Sequence, residues 1–191
     1  MDRWGADFDP ERLADLETAM WKAYYRRQPA RLFGYLLKGL REQAHVSWPR
    51  ALVASLFLTR AAARFARSSG DYEQFAPDVA RGYRLLGLPV HVDAEEVARR
   101  ELRWWVVRRE VGLAAGAAAG DAITRLYAEL YGVPESAVAE AGRLRGQAAE
   151  VRDRGANIDP DGPTGRGTAY WPTVARLLRD SYQELKTAVS S

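Results

Sequence analysis

Three helices predicted from the sequence carry charged side chains on faces that their apolar residues mark for burial. At about 100° of rotation per residue, Glu17 falls on the same face as Leu13 and Trp21. Glu101 and Arg108 fall likewise on an apolar face. An isolated buried charge costs several kcal/mol, so we expect these groups to meet in one polar cluster. The expected members are Glu17, Glu101, Arg108, Arg145, Arg152 and Asp153.

Such a cluster has a definite chemistry. Arginine side chains present forked donors that hold a carboxylate or a phosphate, and burial raises the pKa of a glutamate toward the range of an acid–base catalyst. We therefore predict a pocket for a small anionic molecule, with Glu17 and Glu101 as its acid–base groups if the protein is an enzyme. The predicted ligand-binding residues are Tyr24, Trp104, Arg108, Arg145, Arg152 and Asp153. The alternative is a salt-bridge network that fixes helix register in a purely structural or interaction bundle.

A second alternative comes from Glu42 and His45, which are spaced as Glu-x-x-His. This spacing resembles the ferritin-like carboxylate dimetal proteins, and the resemblance implies iron or manganese held by Glu17, Glu42, His45 and Glu101. The helical wheel, however, places Glu42 and His45 on the same side as Lys38, toward solvent. The main prediction therefore includes no metal or other cofactor.

Composition excludes several classes of site. There are no cysteines, which excludes disulfides, thiolate zinc sites, iron–sulfur clusters and a cysteine nucleophile. There are only two histidines, which excludes a site that needs three imidazoles from one chain. The N-terminal residues lack the apolar core of a signal peptide, and the longest apolar stretch, 51–66, is interrupted by Arg60 and Arg64. We therefore expect a soluble cytoplasmic protein that does not enter a membrane.

The charge pattern does not favour nucleic acid as a partner. Arginine outnumbers lysine 25 to 3, but the basic residues are interleaved with 25 acidic ones and no basic run occurs. The third helix is too apolar to be a DNA-recognition helix. Gly112, Gly116 and Gly120 are spaced for close helix packing, either within the chain or between the subunits of a homo-oligomer.

The elements that position these residues are predicted to be helices throughout. Apolar residues recur with a period of about 3.6 residues, which predicts one all-α domain over 1–191 with seven to eight helices and the third near the centre. A ferritin-like four-helix core is one arrangement of them. A Gly-, Pro- and Asp-rich loop is expected at about 155–168. The predicted helices are 10–27, 30–44, 47–67, 72–86, 94–110, 113–131, 134–154 and 171–189.

Overall fold

The computed structural model describes residues 4–158 and 170–190, and in these ranges the chain forms eight α-helices and no strand. The predicted all-α fold is therefore confirmed. None of the helices in the described ranges is both long and apolar enough to cross a lipid bilayer. The helices are α1 Pro10–Tyr25, α2 Pro29–Ala44, α3 Trp48–Arg67, α4 Ala76–Leu85, α5 Ala94–Val111, α6 Gly116–Tyr131, α7 Glu135–Ile158 and α8 Tyr170–Ser190.

Short sequence signals set the helix ends. The Asp9 carboxylate accepts hydrogen bonds from the backbone N–H groups of Glu11 and Arg12, at 3.0 and 3.2 Å, and Pro10 is the first helical residue of α1. Asp93 caps α5 in the same way through the N–H of Glu95. The helix starts predicted at these two aspartates are therefore confirmed.

The predicted boundaries differ most from the structure at the starts of α4 and α6 and at the end of α7, and the others agree within two residues. Helix α6 begins at Gly116, after a 3-10 turn at Gly112–Ala114, and not at 113. The predicted fourth helix begins as a 3-10 turn, Tyr72–Phe75, and α4 starts at Ala76, which places Pro77 in its first turn, where a missing N–H costs no helical hydrogen bond. Helix α7 continues to Ile158, beyond its predicted end, and Gly155 packs closely against Tyr170 there. The remainder of the predicted loop, 159–168, lies outside the described residues.

The helices form a closed circuit. Each packs against the next along the chain, and α8 packs against α1. The largest core cluster draws on α1, α5, α6, α7 and α8, and six of the ten buried residues of α6 belong to it. The prediction that α3 is central was wrong: its small residues, such as Ala51 and Ala54, face the core, whereas Leu52 and Leu56 are exposed. A helix that is apolar all round does not reveal which of its faces is covered.

Glycines bring α7 unusually close to α6. A Cβ atom on Gly146 would lie 2.6 Å from the backbone nitrogen of Gly120, and one on Gly142 would lie 2.8 Å from the Gly120 carbonyl oxygen. Only glycine permits this approach. The glycine spacing of α6 is thus used inside the chain, and it lends no support to a homo-oligomer. The close approach of the two helices fixes the position of α7, the helix that carries Arg145, Arg152 and Asp153.

Candidate functional site

The first part of the site is the Glu17 group, which consists of Glu17, Arg145, Tyr127 and Tyr182. Glu17 is only 5% exposed. Its Oε1 accepts a hydrogen bond from Nη2 of Arg145, and its Oε2 accepts one from the Tyr182 hydroxyl. Nη1 of Arg145 donates to the Tyr127 hydroxyl at 2.7 Å. A buried ion pair therefore joins α1 to α7 and is completed by hydroxyls of α6 and α8.

The surroundings of this pair keep Arg145 charged and the two tyrosines neutral. Burial raises the pKa of both Tyr127 and Tyr182 above the ordinary value of 10.0, so their hydroxyls remain neutral. Burial by itself would lower the pKa of Arg145, but Glu17 and the other neighbours outweigh it and raise that pKa well above its ordinary value. Arg145 is therefore a permanent cation whose charge Glu17 balances.

The second part is the Glu101 group, in which a partly buried carboxyl forms hydrogen bonds only with neutral partners. The Tyr83 hydroxyl donates to Oε2 of Glu101, and the Trp105 indole donates to Oε1, both at 3.0 Å. Among the described residues, no lysine, arginine or histidine forms an ion pair with Glu101. Burial raises the pKa of Glu101, although Arg145 and the two donors oppose the shift. Glu101 is thus the carboxyl of the site best suited to bind and release a proton.

The third part is the Asp153 group, in which Arg108 and Arg152 share one carboxylate. Arg108 donates to Asp153 from Nε at 3.2 Å and from Nη2 at 2.8 Å, and Arg152 donates to it from Nη1 at 2.8 Å. Nη2 of Arg108 also donates to the Tyr25 hydroxyl at 2.9 Å, and the Arg152 guanidinium lies on the Tyr25 ring. The three charged side chains are 16–17% exposed, so this part of the site reaches solvent.

Trp104 joins these parts. Its ring is buried, with the guanidinium carbons of Arg145 and Arg108 at 5.7 and 5.9 Å from the ring centroid. Arg145 also contributes to the electrostatic environment of Glu101. The Glu17, Glu101 and Asp153 groups, linked by Trp104, are called the polar cluster below. All six ionisable residues that the sequence assigned to buried faces belong to it.

Tyr24 does not take the position that the sequence suggested. It is 48% exposed, and the hydroxyl that contacts the polar cluster belongs to Tyr25. The ring of Tyr24 packs edge-on against that of Tyr25, with 4.9 Å between centroids. The side chains of neighbouring residues point about 100° apart around a helix axis, and at a helix end this angle decides which of two tyrosines faces inward.

Sequence reasoning also missed the neutral partners of the cluster. A signal for them existed, because a buried tyrosine hydroxyl or tryptophan N–H needs a hydrogen-bond partner. Tyr182, for example, lies on the buried face of α8 together with Leu178 and Leu185. The missed residues are Tyr25, Tyr83, Trp105, Tyr127 and Tyr182.

The residues proposed for a dimetal centre are engaged separately. Glu42 was expected on the solvent side, but its side chain is only 13% exposed, because it pairs with Arg12 and accepts the Asp9 N–H. The exposed His45 has Nε2 at 2.9 Å from the Asp7 carbonyl oxygen. Among residues 4–158 and 170–190, no three His, Cys, Asp or Glu side chains are grouped to hold a metal ion. Glu17, Glu42, His45 and Glu101 therefore do not form a common site for iron or manganese in this arrangement.

No protein-family model matches the chain, and no curated protein or solved structure is significantly similar to it. A function must therefore be inferred from the geometry and charge of the polar cluster itself.

Proposed function

We propose that the protein binds a small anionic molecule at the Asp153 group. One observation carries this proposal: Arg108 and Arg152 share a single carboxylate, that of Asp153. Neither guanidinium forms an ion pair with any other acidic side chain in the described part of the chain. One positive charge at this partly exposed end of the cluster therefore lacks a counter-charge among the described residues, and a bound anion would supply it.

Two further features support an anion at this place. Burial raises the pKa of Tyr25 above 10.0, even though Arg108 and Arg152 act in the opposite direction, so Tyr25 is neutral and does not balance the charge. The Nε–H group of Arg152 is buried and has no hydrogen-bond acceptor among the described residues. A buried donor without a partner is unfavourable by about 1–3 kcal/mol, which an oxygen of the ligand would recover.

The donors define the chemical class of the ligand. A guanidinium is planar and always charged, and it suits the paired oxygens of a carboxylate or phosphate. Both oxygens of Glu17 are engaged by Arg145 and Tyr182, so in this proposal Glu17 positions Arg145. The proposal is therefore a binding site for a small phosphate or carboxylate compound. Glu101 lies seven residues before Arg108 on α5, about 10 Å along the helix, so the proposal assigns it no contact with the ligand.

The test is a thermal-shift titration with inorganic phosphate and with malonate in a chloride buffer. A ligand present at 100 times its Kd stabilises the native state by about 2.7 kcal/mol. For a chain of this size, that corresponds to a rise in Tm of roughly 5–10 °C. The Arg152→Gln variant should lose this rise. The control is Arg154→Gln, on the same helix, because Arg154 is 60% exposed and, among the described residues, pairs only with Glu150.

A saturable rise that depends on Arg152 and not on Arg154 supports the proposal. If neither phosphate nor malonate raises the Tm of the native protein, or if Arg152→Gln responds as the native protein does, the proposal is wrong. The second candidate function, a purely structural network, would then stand, since Glu17 and Asp153 are both fully engaged within the chain.

A further inference from the structure

Helix α3 presents a stripe of large apolar side chains to solvent. Trp48, Leu52 and Leu56 recur every four residues, and Val53 lies beside them; the four are 40–55% exposed. The stripe extends for about 12 Å along the helix. A continuous apolar patch on a helix marks an interaction surface more often than scattered exposed residues do. None of these side chains belongs to the polar cluster.

Helix α2 lies beside the start of this stripe, where the guanidinium carbon of Arg41 is 4.0 Å from the centroid of the Trp48 ring. It packs against α3 far more sparsely than it packs against α1, and α3 packs mainly against α4. No residue of α2 is buried, and its Leu37 and Leu40 pack only partly buried against the cluster that contains Ala51 and Ala54. The α2–α3 surface, defined by Trp48, Leu52, Val53 and Leu56, therefore lies next to a loosely packed junction between two helices.

The charge around this surface is strongly one-sided. The segment 29–67 contains seven basic residues and one acidic residue, whereas the whole chain has a net charge of only +3, so the rest of the chain is net acidic. The single acid, Glu42, is paired with Arg12, and Asp78 of α4 pairs with two of the basic residues, Arg60 and Arg64. Arg31, Lys38 and Arg67 are exposed, and they form no ion pair with other described residues. The helices that carry the apolar surface thus also carry exposed cations without an ion pair among the described residues, and Arg31, Lys38 and Arg67 are called the basic border below.

We propose that the α2–α3 surface docks an acidic amphipathic helix of a partner protein. The apolar face of such a helix would cover Leu52 and Leu56, and its acidic side chains would meet the basic border. A second copy of this chain is disfavoured, because two such surfaces would bring like charges together. A helix is favoured over an anionic bilayer, because a loosely packed junction between two helices suits the ridge of a third.

The experiment uses two amphipathic peptides of about 18 residues with leucine at the positions of one helical face. One peptide carries glutamate at the remaining positions and the other carries lysine. Binding to the full chain is measured by fluorescence anisotropy. The acidic peptide should bind saturably and at least about tenfold more tightly than the basic one.

Variants locate the binding surface. The double variant Leu52→Gln/Leu56→Gln should weaken binding of the acidic peptide by about tenfold or more. Both side chains are already about half exposed, so the circular dichroism spectrum should not change. The control is Val90→Gln, since Val90 is fully exposed on a different segment, and it should bind as the native protein does.

Several results would overturn the proposal. Absence of binding, equal binding of the two peptides, or full binding by the double variant would each show that the surface does not recognise an acidic helix. Vesicles of phosphatidylserine are tested in parallel. Binding to vesicles that depends on Leu52 and Leu56, without binding of the acidic peptide, would assign the surface to a membrane instead. A stable dimer in sedimentation that the double variant disrupts would assign it to self-association.

Discussion

The shared carboxylate of the Asp153 group predicts that two substitutions in one cluster have very different effects on stability. In Asp153→Asn, two guanidiniums lose the only counter-charge that the described residues give them. Removing one partner of a buried ion pair costs about 3–5 kcal/mol, and the partial exposure of this group places the expected loss near 3 kcal/mol. In Arg152→Gln, by contrast, Asp153 keeps its two contacts with Arg108. This variant removes the unbalanced charge, and it should cost less than about 1 kcal/mol.

The assay is equilibrium unfolding in urea, followed by circular dichroism at low ionic strength and without phosphate. In a thermal melt of the same variant, a loss of about 3 kcal/mol should lower the Tm of a chain of this length by roughly 6–12 °C. Arg154→Gln again serves as the exposed control. Phosphate should restore much of the stability of Asp153→Asn, because it would bind between the two unpaired guanidiniums. If Arg152→Gln lost as much stability as Asp153→Asn, the idea of an unbalanced charge would be refuted.

Three further predictions concern other parts of the polar cluster and its framework. Burial raises the pKa of Glu101 above its ordinary value of 4.5, so ionisation disfavours the folded state, and native stability should fall relative to Glu101→Gln as the pH rises from about 4.5. Unfolding curves across this range check the sign, and a constant difference would contradict it. Gly146→Ala should cost about 3 kcal/mol or more, because its Cβ meets the backbone of α6, whereas Gly34→Ala, where no atom lies within 4 Å, should gain up to about 1 kcal/mol. Thermal unfolding of both variants tests this, and similar losses would count against the close approach. Tyr25→Phe should cost about 1–2 kcal/mol through its lost hydrogen bond to Arg108, and Tyr24→Phe should cost almost nothing; equal losses in urea unfolding would argue against this assignment.

The helices and the charged members of the site could be predicted because both depend on local periodicity. Asp9 and Asp93 are strong N-cap signals, and a charge such as Glu17 on an apolar helical face must have a partner. The pairing itself depends on how helices pack in three dimensions. For this reason the sequence could not state that Arg145 pairs with Glu17, or that Arg108 and Arg152 share Asp153.

The errors have the same physical origin. Helix α3 was placed at the centre because apolar residues surround it, but hydropathy does not show which of its faces a neighbour covers. Tyr24 was preferred to Tyr25 because a wheel cannot resolve one residue at the end of a helix. Glu42 was expected in solvent, yet its carboxylate is covered by contacts with Arg12 and Asp9 at the start of α1. Each error concerns a tertiary contact that no local pattern encodes.

The most direct measurement of the central claim is the NMR signal of the Arg152 Nε–H group in arginine-labelled protein, assigned by its disappearance in Arg152→Lys. This donor has no acceptor among the described residues. On titration with inorganic phosphate, we expect its proton resonance to move saturably downfield as it gains a charged acceptor, while the signal of the exposed Arg154 stays in place. An Arg152 signal that phosphate leaves unchanged, or that moves equally with chloride, would contradict the proposed anion site.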